Sequence, residues 1–219
     1  LRNAEYLLGG PISLLASRAE DWQRHKNFWP QDLRNQIVDK GWKNIASIHV
    51  RNPWQRTDEY LLKCALEGSD ALMLHICNEI TPGMSELLPG VLSGASRLLL
   101  ENYFPNDRIL ENMAPDGLFG RSFRAALQHA ILSQNFGCSS IYLPLTGDEA
   151  KAKQGYDDIF ANAVKSGLTI HRVYLDKPFH CDLCGGIATE KSCPHSPAGR
   201  VTFSDAEIAA GLLGGKTLP

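Results

Sequence analysis

The sequence predicts an α/β fold with a parallel sheet covered on both faces, and three observations lead there. Short apolar runs alternate with stretches of helical periodicity along most of the chain. One run, residues 70–77 (DALMLHIC), is almost continuously apolar, as a strand buried on both faces must be. The 219 residues, 43% of them hydrophobic, suffice for one sizeable core.

The elements follow in order. Residues 44–50 (NIASIHV) read as a strand. Pro53 opens a helix to about residue 67, with Tyr60, Leu61, Cys64 and Ala65 able to share its apolar face. Residues 70–77 are the second strand. Residues 87–102 are helical, although Pro89, Gly90 and Gly94 weaken the first half. Residues 107–113 form a weaker strand. Residues 121–134 are helical, with Phe123, Ala126, Leu127, Ala130 and Ile131 at three- and four-residue spacing. Residues 140–143 are a strand, residues 156–166 a helix stopped by Gly167, and residues 168–175 another strand. This alternation implies right-handed βαβ units. Ligands of such sheets sit beyond the carboxyl ends of the strands, here the loops at Arg51-Asn52-Pro53, Asn78-Glu79 and residues 144–148.

After Leu175 the character changes. Residues 180–199 are rich in Cys, Gly, Pro and Ser and lack periodicity, and residues 204–213 read as a short helix with Ser204 and Glu207 at capping-box spacing. Two units are therefore expected, residues 1–175 and a smaller C-terminal subdomain at 176–219. The subdomain carries Cys181-x-x-Cys184 and Cys193-Pro194-His195. Three thiolates and an imidazole suit tetrahedral zinc, and Gly185 and Gly186 permit the tight turn after the first pair. His195 competes with His180 and with water for the fourth position. A metal-free reduced loop, or a redox pair at Cys181 and Cys184, is the alternative. Four protein ligands would leave a structural metal with no open position for catalysis.

The remaining thiols, Cys64, Cys77 and Cys138, lie in apolar segments and are expected to be buried and reduced, a cytosolic pattern. A net charge of −2 gives no basic surface for nucleic acid, and no apolar run reaches the ~20 residues of a membrane span. The opening Leu1-Arg2-Asn3 has neither signal-peptide pattern nor initiator methionine, so the chain reads as part of a longer protein. Gly214-Gly215-Lys216-Thr217 lacks the preceding strand a phosphate-binding loop needs. His75, His129 and His171 read as core or surface histidines. Trp54 reads as packing, with the cleft wall as the rival role.

Several segments together resemble the ATP sulfurylase family: Leu8-Gly9-Gly10-Pro11-Ile12, Lys40-Gly41-Trp42, Arg51-Asn52-Pro53 with residues 59–66 (EYLLKCAL), residues 100–105 (LENYFP), residues 135–138 (NFGC), and the cysteine cluster. The resemblance covers nearly the whole chain. It implies a Rossmann-like nucleotidyltransferase that joins sulfate to the α-phosphorus of ATP, held with magnesium, giving adenylylsulfate (APS) and pyrophosphate. Such catalysis rests on positioning and on neutralising phosphate charge. Arg51 and Asn52 match the sulfate-side residues, with His49 beside them.

The sequence departs from the family at the phosphate-handling motifs. The family's two histidines after Asn-Pro are here Gln55 and Asp58; Gln carries no charge, and Asp58 puts a carboxylate among phosphate oxygens, offset in part by Arg56. The family's Gly-Arg-Asp-His-Ala-Gly is replaced by residues 144–149 (PLTGDE), and of Ser-Gly-Thr-x-x-Arg only Ser204 survives. The resemblance thus implies an inactive or impaired sulfurylase-like domain, a homo-oligomer and scaffold or regulatory part of a protein that also carries APS kinase. The alternatives are an active enzyme using Arg51, Arg56, His49 and Arg121, or a module that binds APS or a nucleotide without reacting it.

Overall fold

The computed structural model describes residues 29–50, 54–77, 89–114, 122–145, 149–165, 167–204, 207–208, 210–211 and 214–215. Helix α1 (Pro30–Asp39) begins on a proline, whose missing N–H costs nothing in a first turn, and buries Leu33 and Ile37 one turn apart. Then come β1 (Ile45–Val50), α2 (Arg56–Glu67), β2 (Ala71–Cys77) and α3 (Pro89–Tyr103). They are followed by β3 (Ile109–Ala114), α4 (Phe123–Asn135), β4 (Ser140–Pro144), α5 (Glu149–Lys165) and β5 (His171–Leu175).

The five strands form one parallel sheet in the order β3-β2-β1-β4-β5. The chain winds outward from β1 to β3 and then crosses back to the far side of β1. The order therefore turns between β1 and β4, which opens a crevice at their carboxyl ends. One face packs Ile45, Met73, Ile141 and Leu143 against Leu33, Ala126, Ala130 and Phe160, which α1, α4 and α5 supply. The other packs Ala46, Leu72 and Leu74 against Leu62 and Ala65 of α2 and Leu100 of α3. Leu72, Met73 and Leu74 are all fully buried, which explains the unbroken apolar run of β2.

Several readings change. Helix α1 was not foreseen, although Pro30 with Leu33 and Ile37 carries its signal. Helix α5 starts seven residues earlier than residue 156. Strand β5 starts at His171 instead of 168, because the Gln134 side chain accepts the Thr169 and Ile170 N–H groups (2.7 and 3.0 Å) and ties that stretch to the end of α4. The buried face of α2 is also rotated from the expected one: Leu62 and Ala65 are buried, and Cys64 is exposed. Cys138 is buried as expected, and burial pushes its thiol up to about 12. The side chain of Cys77 lies outside the described residues. No helix among the described residues is long and apolar enough to cross a membrane.

Beyond β5 lies a second sheet, in which β6 (Phe179–Cys181) pairs antiparallel with β7 (Gly186–Ala188) and β8 (Arg200–Val201). Farther on, the Glu207 carboxylate accepts from the Ser204 N–H and hydroxyl at 2.7 Å each, and the Glu207 N–H donates to the Ser204 Oγ at 3.3 Å, the predicted capping box.

A polar layer runs through the α4-side face near the carboxyl ends of β1 and β2. His49 and His75 are partners in the β1–β2 register. The His49 ring stacks between His129 of α4 (3.6 Å between centroids, 12° apart) and His75 (4.6 Å, 15°). Below it the Ser47 and Ser133 hydroxyls meet at 2.6 Å. His75 is fully buried, and loss of water pushes its pKa down to about 4. The unfolded chain protonates this histidine near 6.5, so the neutral ring's stabilisation is complete above that pH and is lost as pH falls toward 4. Urea denaturation should show stability falling by about 2 kcal/mol between pH 7.5 and pH 5, and His75→Phe should flatten that slope.

Candidate functional site

The crevice at the β1/β4 switch point is where a sheet of this topology takes a ligand. Arg51, Asn52, Asn78, Glu79, Arg121 and Asp148 lie outside the described residues. What is described at the crevice is the ends of β1 and β4 and the first turn of α2. Gln55 is the N-cap of α2, in extended conformation, and its N–H donates to the Asp58 carboxylate at 2.9 Å. Asp58 therefore closes the amino end of the helix, where the helix dipole favours a negative charge. A carboxylate here is a structural cap as well as an obstacle to phosphate.

Arg56 does not face the crevice as a free cation. Its guanidinium donates to Glu59 at 2.7 Å and lies 5.3 Å from the centre of the Tyr103 ring. Both contacts hold its pKa above the ordinary value. Glu59 also accepts from Lys63 at 2.6 Å. Burial pushes the Glu59 carboxyl up, but its bonds from Lys63 and Arg56 outweigh that and hold it below the usual range. His49 is occupied by the imidazole stack, with its Nε2 3.5 Å from the Ser133 Oγ on the α4 side. Trp54 packs beside the α2–α3 core, and its indole N–H donates to the Ser96 hydroxyl.

The second set of residues lies in the small sheet. Cys181, Cys184, Cys193 and His195 bring their ligand atoms within 4.8 Å of one another. His195 Nδ1 lies 3.6, 3.3 and 3.8 Å from the sulfurs of Cys181, Cys184 and Cys193, and the Cys184 and Cys193 sulfurs are 3.8 Å apart. A tetrahedral site with metal–sulfur bonds of about 2.3 Å and a metal–nitrogen bond of about 2.05 Å has edges of about 3.8 and 3.6 Å. The four atoms thus fit a metal ion. His180 is not among them: it is half exposed and faces Asp182 at 3.3 Å. The Cys184 backbone N–H leads the groups that favour a thiolate at Cys181 and draw its pKa down to about 6.

The knuckle is built by local backbone bonds. Gly185 has φ of +68°, and its N–H donates to the Cys181 carbonyl at 2.9 Å. The Cys193 N–H donates to the Thr189 carbonyl at 2.9 Å. Arg200 lies 4.3 Å over the Phe179 ring, donates to the His195 carbonyl at 3.2 Å and pairs with Glu190. Lys191 reaches the buried Asp176 at 3.0 Å and ties the knuckle to the end of β5. The sequence reading missed these supports. It also missed the histidine stack, although a signal existed: His49 and His75 are each the fifth residue of strands whose first residues pair.

A cavity of about 540 Å³ runs along β5, lined by Lys153, Arg172, Tyr174, Asp176 and Lys191 among others. Two of its cations are already matched, Arg172 by Asp157 and Lys191 by Asp176, each at 3.0 Å.

Comparison with known proteins places the chain in a family. The ATP-sulfurylase family model matches residues 24–219. Sulfate adenylyltransferase of Symbiobacterium thermophilum is 32% identical over all of this chain and 56% of its own length; that of Ruthia magnifica is 31% identical over all of this chain and 55% of its own. The chain thus spans little more than half the length of these relatives. Among solved structures, a hexameric APS kinase from Thiobacillus denitrificans shares the fold, with a TM-score of 0.66 and 24% identity over 91% of this chain and 37% of that one. With the family model matching residues 24–219, this chain belongs to the ATP-sulfurylase family.

Proposed function

We propose that this chain is a sulfurylase-type domain of sulfate activation that has lost adenylyl transfer. The observation that carries the reading is the first turn of α2. The two positions where the family resemblance expects phosphate-binding histidines are Gln55 and Asp58, joined in a helix cap, and Arg56 between them is turned to Glu59 and Tyr103. The alternative of an active enzyme with relocated charges needs Arg56 and His49 in the crevice. The contacts of both residues weigh against it.

Arg51 and Asn52 keep the sulfate-side pattern, which favours residual binding of APS or sulfate as a second reading. The domain's role is that of a scaffold or regulatory part of a cytoplasmic, homo-oligomeric protein that also carries APS kinase. The fold shared with a longer, hexameric APS kinase supports that setting.

In this reading the cluster of Cys181, Cys184, Cys193 and His195 holds one zinc ion with no open position. The small sheet buries few apolar side chains, Phe179 and Ala188 beside Cys181 and Cys193. A subdomain with so little core needs a metal to fold.

Two outcomes are expected. Elemental analysis should find one zinc per chain, lost in Cys184→Ser and kept in His180→Ala. ATP formation from APS and pyrophosphate with magnesium should run at least ~10⁴-fold below an active relative, since each missing donor costs ~10² to 10³. Turnover within tenfold of an active relative would overturn the proposal.

A further inference from the structure

The guanidinium of Arg200 stands where the segments that carry the cysteine and histidine ligands converge. Arg200 opens β8 and lies opposite Cys181 of β6 in the antiparallel register. Its guanidinium sits 4.3 Å over the ring of Phe179, two residues before Cys181 on the same strand. Residues two apart share one face of a strand, and Phe179 is buried together with Cys181, Ala188 and Cys193. The Arg200 Nη2 donates to the His195 carbonyl at 3.2 Å, across the tight turn Pro197–Gly199. Nη1 pairs with Glu190, which lies in the turn where the Cys193 N–H reaches the Thr189 carbonyl at 2.9 Å. One side chain, 15% exposed, therefore touches the segments of Cys181, Cys193 and His195.

Main-chain placement matters most for His195. It offers Nδ1 to the cluster, the ring nitrogen nearer the backbone, so the position of this ligand atom follows the position of the loop. His180 is no ready substitute. It adjoins Cys181 on β6, where neighbouring side chains point to opposite faces, and its ring faces Asp182 at 3.3 Å.

We propose that Arg200 is the positioning residue of the metal site, tying the loop of His195 to the strand of Cys181 and to the turn of Cys193. The inference rests on the reading that the cluster holds a metal. A planar guanidinium can bond a carbonyl and a carboxylate at once while its face stays on an aromatic ring, which a lysine ammonium cannot match. Once Arg200 is truncated, the Asp182 N–H still holds the Gly199 carbonyl at 3.0 Å, but that bond fixes the far end of the loop and leaves His195 free to turn away.

The test is cobalt(II) uptake by the full chain, because the visible absorption of this ion reports its ligand set and geometry. His195→Ala supplies the reference spectrum for loss of the imidazole. Arg200→Ala should bind cobalt about tenfold to a hundredfold more weakly, measured by competition with a chromophoric chelator, and its spectrum should shift toward that of His195→Ala. Arg200→Lys should fall between Arg200→Ala and the unmodified chain in both readouts. An Arg200→Ala variant with the affinity and spectrum of the unmodified chain would overturn the inference. Weaker binding with an unchanged spectrum would also overturn it, since that is lost stability without displacement of His195. An unmodified chain that takes up no cobalt would overturn the metal reading itself, and the role of Arg200 with it. Should Arg200→Ala not fold, judged by circular dichroism, Arg200→Lys decides by the same two readouts.

Discussion

Burial of both faces of one parallel sheet is the constraint on which the rest of this molecule depends. Most side chains of β1 and β2 are buried on both faces. A ligand of such a sheet sits at the carboxyl ends of the strands, and the strand order turns there between β1 and β4. The same burial fixes the turns. At the end of α4, Gly137 has φ of +94°, and a Cβ there would lie 3.0 Å from the Arg34 side chain of α1. The chain can re-enter the sheet at β4 because glycine, alone among residues, adopts that conformation without strain.

The sequence made the sheet and most of its helices legible, since apolar runs and three-four spacing are direct consequences of two-sided burial. It was less informative where polar side chains set the boundaries. Gln134 captures two backbone N–H groups and shortens β5. Glu59, a charged residue, takes a buried place on α2 because Arg56 and Lys63 both reach it. The buried face of α2 is therefore Glu59, Leu62 and Ala65. The cluster of Cys181, Cys184, Cys193 and His195 was legible from spacing, but the choice of His195 over His180 needed the fold of the knuckle. Asp58 read as an electrostatic loss, and only its bond from the Gln55 N–H revealed a capping role.

That dual character gives a physical account of how a family site decays. A histidine that binds phosphate at a helix amino end can be exchanged for an aspartate without loss of the helix, because the dipole and the free N–H groups welcome the carboxylate. On the proposed reading, the fold is kept while the chemistry is removed. Arg56 follows the same logic: Glu59 and Tyr103 satisfy it locally. The knuckle brings the Cys181, Cys184, Cys193 and His195 side chains together, their potential ligand atoms within 4.8 Å of one another.

The central claim is electrostatic: the crevice no longer attracts the phosphate side of a nucleotide. Calorimetric titration of the metal-loaded chain with magnesium pyrophosphate tests it most directly. The account predicts no binding tighter than ~1 mM, a free energy weaker than about −4 kcal/mol. Saturable binding in the micromolar range would contradict it and would mean that cations from other parts of the chain have replaced the lost histidines.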